Sequence, residues 1–200
     1  MNSGSTITKA LPTTDFKFNT FGENDLVGLL KAANTFAADL LHVPEQPRWI
    51  TFTGASGNGK TYLAKQLYRF WKAKRMFYTH PGTGATLTKT GMFIDWMKTI
   101  ESLRDKEFYW VREIAEADFV VLDEIGAENP PTAYVSAKLF DVLNRRLNKW
   151  TVITSNRSVE AWAEIEVRIS SRLVRPPNRV VHSNATDYAL RTPEPKSKAA

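Results

Sequence analysis

Residues 49–61 read WITFTGASGNGKT, and this stretch decides the fold. An apolar, β-branched segment leads through a glycine-rich turn into a helical pattern. Glycines take backbone angles that other residues disfavour, so successive N–H groups can turn inward around a polyphosphate, and the N-terminus of the following helix favours an anion. The alternative is a Gly/Ser-rich turn that merely precedes a lysine, and the order of strand, turn and helix disfavours it.

The end of this loop divides two roles between neighbouring residues. In the pattern G-x-x-x-x-G-K-[ST], the lysine reaches the β- and γ-phosphates as a point charge, and the hydroxyl ligates Mg²⁺. Lys60 and Thr61 hold these positions. The sequence therefore predicts a site for a nucleoside triphosphate with Mg²⁺. The residues predicted to bind the nucleotide around the loop are Gly54, Ala55, Ser56, Gly57, Asn58, Gly59, Lys60, Thr61 and Tyr62.

A second chemical landmark is the segment FVVLDE at residues 119–124. A continuous apolar run that ends in two carboxylates is typical of a buried parallel strand whose carboxyl end faces the ligand crevice. We expect Asp123 to hold Mg²⁺ and Glu124 to orient and deprotonate the attacking water. An acidic turn after a core strand is the alternative, and the phosphate loop upstream makes it the weaker one.

The next apolar strand, residues 150–154, ends in Ser155 and Asn156. An amide at the tip of such a strand can hydrogen-bond both the γ-phosphate and the attacking water. Asn156 is therefore a candidate nucleotide sensor. Taken alone, an asparagine after a strand is more often a turn former.

Composition limits the other possibilities. The 200 residues include no cysteine, so the chain has no disulfide, no thiolate zinc site and no cysteine nucleophile. No span approaches the roughly 18 apolar residues of a membrane helix, and the N-terminus lacks an apolar signal core, so we expect a soluble, cytoplasmic protein. A formal net charge of +6 favours a polyanionic partner.

The rest of the chain is read more coarsely. We predict an amphipathic helix from about Asn24 to the residues before Pro44, and another over residues 92–103. Residues 76–79 and 85–88 each suit a short strand, in a register that the sequence leaves open.

Four blocks together resemble AAA+ ATPases of the DnaC/DnaI helicase-loader and IstB transposition-helper group. They are GASGNGKT, VVLDEIGAE, VLNRRLNKWTVITSNRSVEAW and RISSRL. The resemblance implies a three-layer α/β P-loop NTPase with a mostly parallel sheet and no substantial lid domain. It also implies Mg²⁺-dependent hydrolysis of ATP. We place this domain at residues 16–191, between a flexible arm at 1–15 and a disordered tail at 192–200.

The same resemblance implies roles for individual residues. Asn156 takes the sensor-1 position. Arg172 is the arginine finger and Arg168 its helper, both reaching the ATP of a neighbouring subunit in a ring or open helix of identical chains. Arg191 matches a sensor-2 position and contributes to nucleotide binding. Without the resemblance, the two arginines would be read as a basic helix face.

By resemblance, the chain is a replicative helicase loader that assembles on single-stranded DNA. The alternatives are a transposition helper that acts with a transposase on duplex DNA, and a nucleotide-gated binding module with little turnover. A candidate DNA-binding segment combines basic and aromatic residues. Its members are Lys98, Arg104, Lys106, Phe108, Tyr109 and Trp110.

Overall fold

The structure is a computed structural model of the chain. It describes residues 24–43, 45–74, 77–79, 82, 86–127, 131–185 and 187. Of residues 24–26, 77–79, 86–88 and 101–109 it describes the backbone alone. The predicted arm, the predicted tail and Arg191 lie outside the described residues, so the predicted domain boundaries stay predictions.

Five strands form one parallel sheet, and two short strands form a separate hairpin. In chain order the elements are α1 (Asn24–His42), β1 (Trp49–Gly54), α2 (Lys60–Ala73), β2 (Phe77–Thr79), β3 (Thr86–Thr88), β4 (Gly91–Asp95), α3 (Trp96–Glu116), β5 (Phe119–Ile125), α4 (Ala133–Arg145), β6 (Trp150–Ser155), α5 (Val159–Ile165), α6 (Val167–Val174) and β7 (Arg179–Ser183). The order across the large sheet is β4-β5-β6-β1-β7. All its neighbouring strands pair in parallel. This confirms the predicted α/β class.

The sheet separates two hydrophobic cores, because alternate side chains of a strand point to opposite faces. On β5, Phe119 and Val121 pack with α1 and α2, whereas Val120 and Leu122 pack with α3, α4, α5 and α6. Both faces are covered, which explains why this strand is a continuous apolar run. The arrangement is a three-layer sandwich. Among the described residues, no helix has the length and apolar character needed to cross a bilayer.

One predicted helix starts later than its sequence pattern indicates. Residues 92–95 belong to β4, which pairs with β5 from Gly91 opposite Phe119 to Asp95 opposite Asp123. The helix α3 begins at Trp96, where the Asp95 carboxylate accepts a hydrogen bond from the Lys98 N–H. The prediction of helix over 92–95 is therefore wrong. An apolar run this short fits either period, and pairing with a buried neighbour strand decides it.

The two short strands predicted before β4 are present. β2 and β3 pair antiparallel, with Phe77 opposite Thr88 and Thr79 opposite Thr86. This settles the register that the sequence left open. Residues 80, 81 and 83–85 of the connection lie outside the described residues.

A buried arginine closes the amino-terminal edge of the sheet. Arg146, at the C-terminus of α4, is 0% exposed. Its guanidinium donates to the carbonyl oxygens of Ile114, Ala117 and Trp150 and to the Thr151 hydroxyl. Burial lowers the pKa of Arg146 to about 9. Because these acceptors lie at the end of α3 and the start of β6, the side chain ties the two elements together.

Candidate functional site

The phosphate loop lies between the end of β1 and the start of α2, and three of its glycines, Gly54, Gly57 and Gly59, have positive φ. Gly54 has φ 132°, and a Cβ there would stand 2.3 Å from the Ser183 carbonyl oxygen on β7. Gly57 has φ 71°, and a Cβ there would stand 2.1 Å from the Asp187 carboxyl carbon. The chain after β7 therefore lies directly against the loop.

Lys60 is folded back onto the loop that precedes it. Its Nζ donates to the carbonyl oxygens of Gly54 and Ala55, at 2.8 and 2.5 Å, and to Asn58 Oδ1 at 3.0 Å. The side chain is only 6% exposed. Burial lowers the pKa of Lys60 to about 8, although the nearby carboxylates of Glu124 and Asp123 act in the opposite direction. The ammonium group of Lys60 is thus held at the loop by acceptors that phosphate oxygens could replace.

The parallel sheet brings Asp123, at the end of β5, beside the first turn of α2. Asp123 Oδ1 accepts hydrogen bonds from Thr61 Oγ1 at 3.0 Å and from Thr154 Oγ1 at 2.7 Å. A hydroxyl and a carboxylate oxygen side by side are hard ligands of the kind that Mg²⁺ takes, usually with waters and phosphate oxygens. The residues present therefore fit the predicted metal.

The predicted catalytic pair of this subunit shares a cavity with the phosphate loop. Glu124 and Asn156 both line a cavity of about 340 Å³. Its other lining residues are Ser56, Gly57, Asn58, Gly59, Lys60 and Thr61. Residues from three separate parts of the sequence meet here because the carboxyl ends of parallel strands lie at one edge. Three predicted nucleotide-binding residues are not among those that line this cavity. Tyr62 is exposed on α2, and the carbonyl oxygens of Gly54 and Ala55 accept hydrogen bonds from Lys60 Nζ.

The two predicted arginine fingers stand on α6, and neither lines that cavity. Arg168 is held by Glu166 at 2.7 and 2.8 Å, and its guanidinium lies 4.4 Å from the Phe140 ring centre. The hydrogen bond with Arg168 lowers the pKa of Glu166 to about 2. Arg172 donates to Asn144 Oδ1 at 3.1 Å. Its Nε is buried and has no hydrogen-bond partner among the described residues.

The candidate DNA-binding segment lies on α3. Lys98 is exposed and forms an ion pair with Asp95 at 2.7 Å. Trp110 is also exposed. The side chains of Arg104, Lys106, Phe108 and Tyr109 lie outside the description. A DNA-binding role for this helix stays a prediction.

Sequence reasoning missed Thr154 and Arg157, which contact the end of β5. Thr154 bonds Asp123, and Arg157 Nε donates to the Gly126 carbonyl oxygen at 2.8 Å. A signal was available, since both residues lie within two positions of the predicted sensor Asn156. The sequence did not show which of these side chains faces β5.

Residues 9–166 match the protein family described as IstB-like ATP binding protein. The chain belongs to this family. The match spans the phosphate loop, the acidic strand and the sensor, and it confirms the group inferred from the sequence blocks. No curated protein sequence matches this IstB-like chain significantly.

Solved structures resemble this IstB-like chain in fold. A DnaC helicase loader superposes with a TM-score of 0.64 at 20% identity, covering 82% of this chain and 93% of that one. A DnaI structure gives 0.60 at 19% identity, covering 82% and 87%. DnaA from Aquifex aeolicus with bound AMPPCP gives 0.60 at 16% identity, covering 82% of this chain and 48% of DnaA. At these identities the likeness shows a common fold.

Proposed function

We propose that this IstB-like chain is a Mg²⁺-dependent ATPase. The observation that carries the proposal is one cavity lined by the phosphate loop, Lys60, Thr61, Glu124 and Asn156, in which Thr61 is hydrogen-bonded to Asp123. The groups proposed to bind the phosphates, to hold the metal and to activate the water lie together at the carboxyl ends of the strands.

The roles of the residues follow from their chemistry. Lys60 exchanges the loop carbonyls for the β- and γ-phosphate oxygens. Thr61 and Asp123 hold Mg²⁺, which neutralises the charge that develops on the phosphates. Asn156 hydrogen-bonds the γ-phosphate and the attacking water, and Glu124 accepts the proton of that water. The products are ADP and inorganic phosphate.

Glu124→Gln tests this assignment. We expect ATP binding to be retained and turnover to fall by roughly 100-fold or more, because the amide cannot accept the proton of the water. Isothermal titration measures the binding and phosphate release measures the turnover. Glu164→Gln, an exposed change on α5, is the control and should hydrolyse ATP like the wild type.

Two results would contradict the assignment. Turnover by Glu124→Gln at the wild-type rate would remove Glu124 from the chemistry. A wild-type chain that binds ATP and does not hydrolyse it would favour the nucleotide-gated binding module instead.

We further propose that a neighbouring subunit supplies the arginine that completes the site around the γ-phosphate. Arg168 and Arg172 lie one helical turn apart and away from the cavity of their own chain, which suits donation to a neighbour. Arg172 is the finger and Arg168, held by Glu166, its helper. Head-to-tail donation of this kind generates rings or open helices. An arginine supplied in trans can raise turnover by about 10³-fold or more.

A mixing experiment tests the donation. Arg172→Ala and Lys60→Ala should each be nearly inactive, one for lack of the donor and the other for lack of a filled site. In a mixture, some interfaces combine an intact Arg172 with an intact Lys60, so activity should partly return. If a folded, co-assembled mixture stays as inactive as its components, the trans mechanism is wrong.

For the cellular task we propose a replicative helicase loader on single-stranded DNA. The net charge of +6 and the superposition over 93% of a DnaC helicase loader support it. The match to the IstB-like family favours the second candidate, a transposition helper on duplex DNA. Two reconstituted assays separate them: ATP-dependent loading of the replicative helicase onto single-stranded circles, and stimulation of a transposase on duplex DNA. Activity in the second assay alone would reject the loader.

A further inference from the structure

Glu124 lies in a β-bulge. Leu122 pairs with Ile153 and Ile125 with Ser155, so β5 takes three steps where β6 takes two. The extra residue allows Glu124 to adopt φ 62°. A bulge turns a side chain away from its regular direction in the strand. A residue other than glycine keeps a positive φ only where its surroundings fix it.

The first of these surroundings is the Thr154 hydroxyl. Thr154 Oγ1 accepts a hydrogen bond from the Glu124 N–H at 2.8 Å and donates to Asp123 Oδ1 at 2.7 Å. Thr154 is fully buried. One hydroxyl therefore fixes the backbone of the proposed base and the carboxylate of the proposed metal ligand.

The residues that follow Thr154 hold the rest of the bulge. Ser155 Oγ donates to the Ile125 carbonyl oxygen at 3.1 Å, and Arg157 Nε donates to the Gly126 carbonyl oxygen at 2.8 Å. Gly126 has φ 71°, and a Cβ there would stand 2.4 Å from Trp162 Cζ2 and 3.1 Å from Arg157 Cδ. The backbones of Glu124, Ile125 and Gly126 are thus each hydrogen-bonded to a side chain from residues 154–157.

We propose that Thr154 and Arg157 are positioning residues for ATP hydrolysis, which fix the bulge and so aim Glu124 into the cavity. The inference rests on the proposed ATPase function. Neither residue lines the cavity, so each acts through other residues. Arg157 acts through the backbone that follows Glu124, and Thr154 acts through both Glu124 and Asp123. Without the Thr154 hydroxyl, the Glu124 N–H loses its acceptor, and the backbone can relax towards regular strand geometry, which redirects the side chain.

Thr154→Val tests the hydroxyl with little change in volume. We expect kcat to fall by about 10- to 100-fold, as for a reacting group displaced by about 1 Å, while the Kd for ATP changes much less. Thr154→Ser should restore most of the kcat, because it keeps the hydroxyl. Thr51→Val is the matched control: Thr51 is also fully buried in the sheet, but its hydroxyl has no hydrogen-bond partner among the described residues.

Arg157→Met and Arg157→Lys form a second pair. The methionine should lower kcat in the same way, and the lysine, which retains a donor, should recover part of it. This pair keeps the test usable if Thr154→Val fails to fold. The proposal is wrong if Thr154→Ser is as impaired as Thr154→Val, if Thr51→Val is equally impaired, or if neither Thr154→Val nor Arg157→Met alters kcat.

Amide hydrogen exchange of residues 122–127 provides a measurement that does not depend on hydrolysis. We expect faster exchange in Thr154→Val than in the wild type, with normal exchange in Thr154→Ser and Thr51→Val. A wild type that lacks turnover would reject the ATPase function and leave this readout intact. Unchanged exchange in Thr154→Val would show that the Thr154 hydroxyl does not fix the bulge, and would reject the proposal.

Discussion

Lys60 and Arg146 are the two basic side chains buried in the described part of the chain, and they lie at opposite edges of the same sheet. Both donate to main-chain carbonyl oxygens. Burial lowers the pKa of Lys60 to about 8 and that of Arg146 to about 9. Burial of a positive charge is therefore unfavourable both at the carboxyl ends of the strands and at their amino ends.

The two cations differ in what their acceptors can do. The carbonyls that bind Lys60 belong to a loop, and a lysine is a flexible point charge that can move to a phosphate. The carbonyls that accept hydrogen bonds from Arg146 lie at the end of α3 and the start of β6. The guanidinium is rigid and planar, so it binds them in one fixed geometry. We infer that burial of Lys60 serves binding, whereas burial of Arg146 serves folding.

Arg146→Met tests the inference that burial of Arg146 serves folding. A buried acceptor left without a partner costs about 1–3 kcal/mol, and the methionine avoids the burial of a charge, so we expect a net loss of roughly 3 kcal/mol in the free energy of unfolding. Urea denaturation measures it. The folded fraction should bind ATP like the wild type.

The neighbouring residue is the matched control for that change. Arg145 is exposed and forms an ion pair with Asp141. Arg145→Met should alter the free energy of unfolding by less than about 1 kcal/mol. Equal destabilisation by the two substitutions would show that burial of Arg146 has no special part in folding.

Lys60→Ala tests the inference that burial of Lys60 serves ATP binding. Removing a buried charged donor from its anion costs about 2–5 kcal/mol, so ATP affinity should fall by about 30-fold to a few thousand-fold. The free energy of unfolding should change little, because relief from burying the ammonium offsets the hydrogen bonds that the loop acceptors lose. Titration with ATP and urea denaturation on the same preparation test both statements.

An exposed lysine of the same helix serves as the control for Lys60. Lys72→Ala, near the C-terminus of α2, should bind ATP like the wild type. Wild-type affinity in Lys60→Ala, or an equal loss in Lys72→Ala, would contradict the role given to Lys60.

The two edges also differed in how far the sequence predicted them. The spacing of Gly54, Gly57, Gly59 and Lys60 predicts a phosphate loop because few other structures need that combination. Arg145 and Arg146 are adjacent and identical in type, and only the rotation of α4 decides which one is buried. The apolar positions Leu139, Val142 and Leu143 place residue 146 on the buried face of α4. Arginine is almost never fully buried, however, so the residue type argues against what the periodicity indicates.

The same limit applies within the candidate site. The pattern of β5 predicts that Asp123 and Glu124 end a buried strand, and the structure places them there. The bulge that turns Glu124 depends on the register between β5 and β6, which no local pattern contains. The sequence therefore does not single out Thr154, although this residue lies two positions before the predicted sensor Asn156.

The smallest expected effect is a pH dependence that belongs to Lys60. With a pKa of about 8, the ammonium of the unliganded chain is mostly protonated at pH 7 and mostly deprotonated at pH 9. ATP binds the charged form, so the affinity should fall by about tenfold between these values. Titrations at constant ionic strength measure it. Lys60→Arg keeps its charge throughout the range, so whatever affinity it retains should be independent of pH.

Stability should move in the opposite direction over a similar range. The folded pKa of Lys60 lies below the unfolded value of 10.5, so the folded chain binds fewer protons than the unfolded chain between about pH 8 and 10.5. The penalty for burying the ammonium is complete below pH 8 and is relieved as the pH rises through this window. The contribution of Lys60 to the free energy of unfolding therefore rises with pH while ATP affinity falls. If affinity and the Lys60-dependent part of stability change in the same direction, the lysine is not the stored cation that the loop geometry indicates.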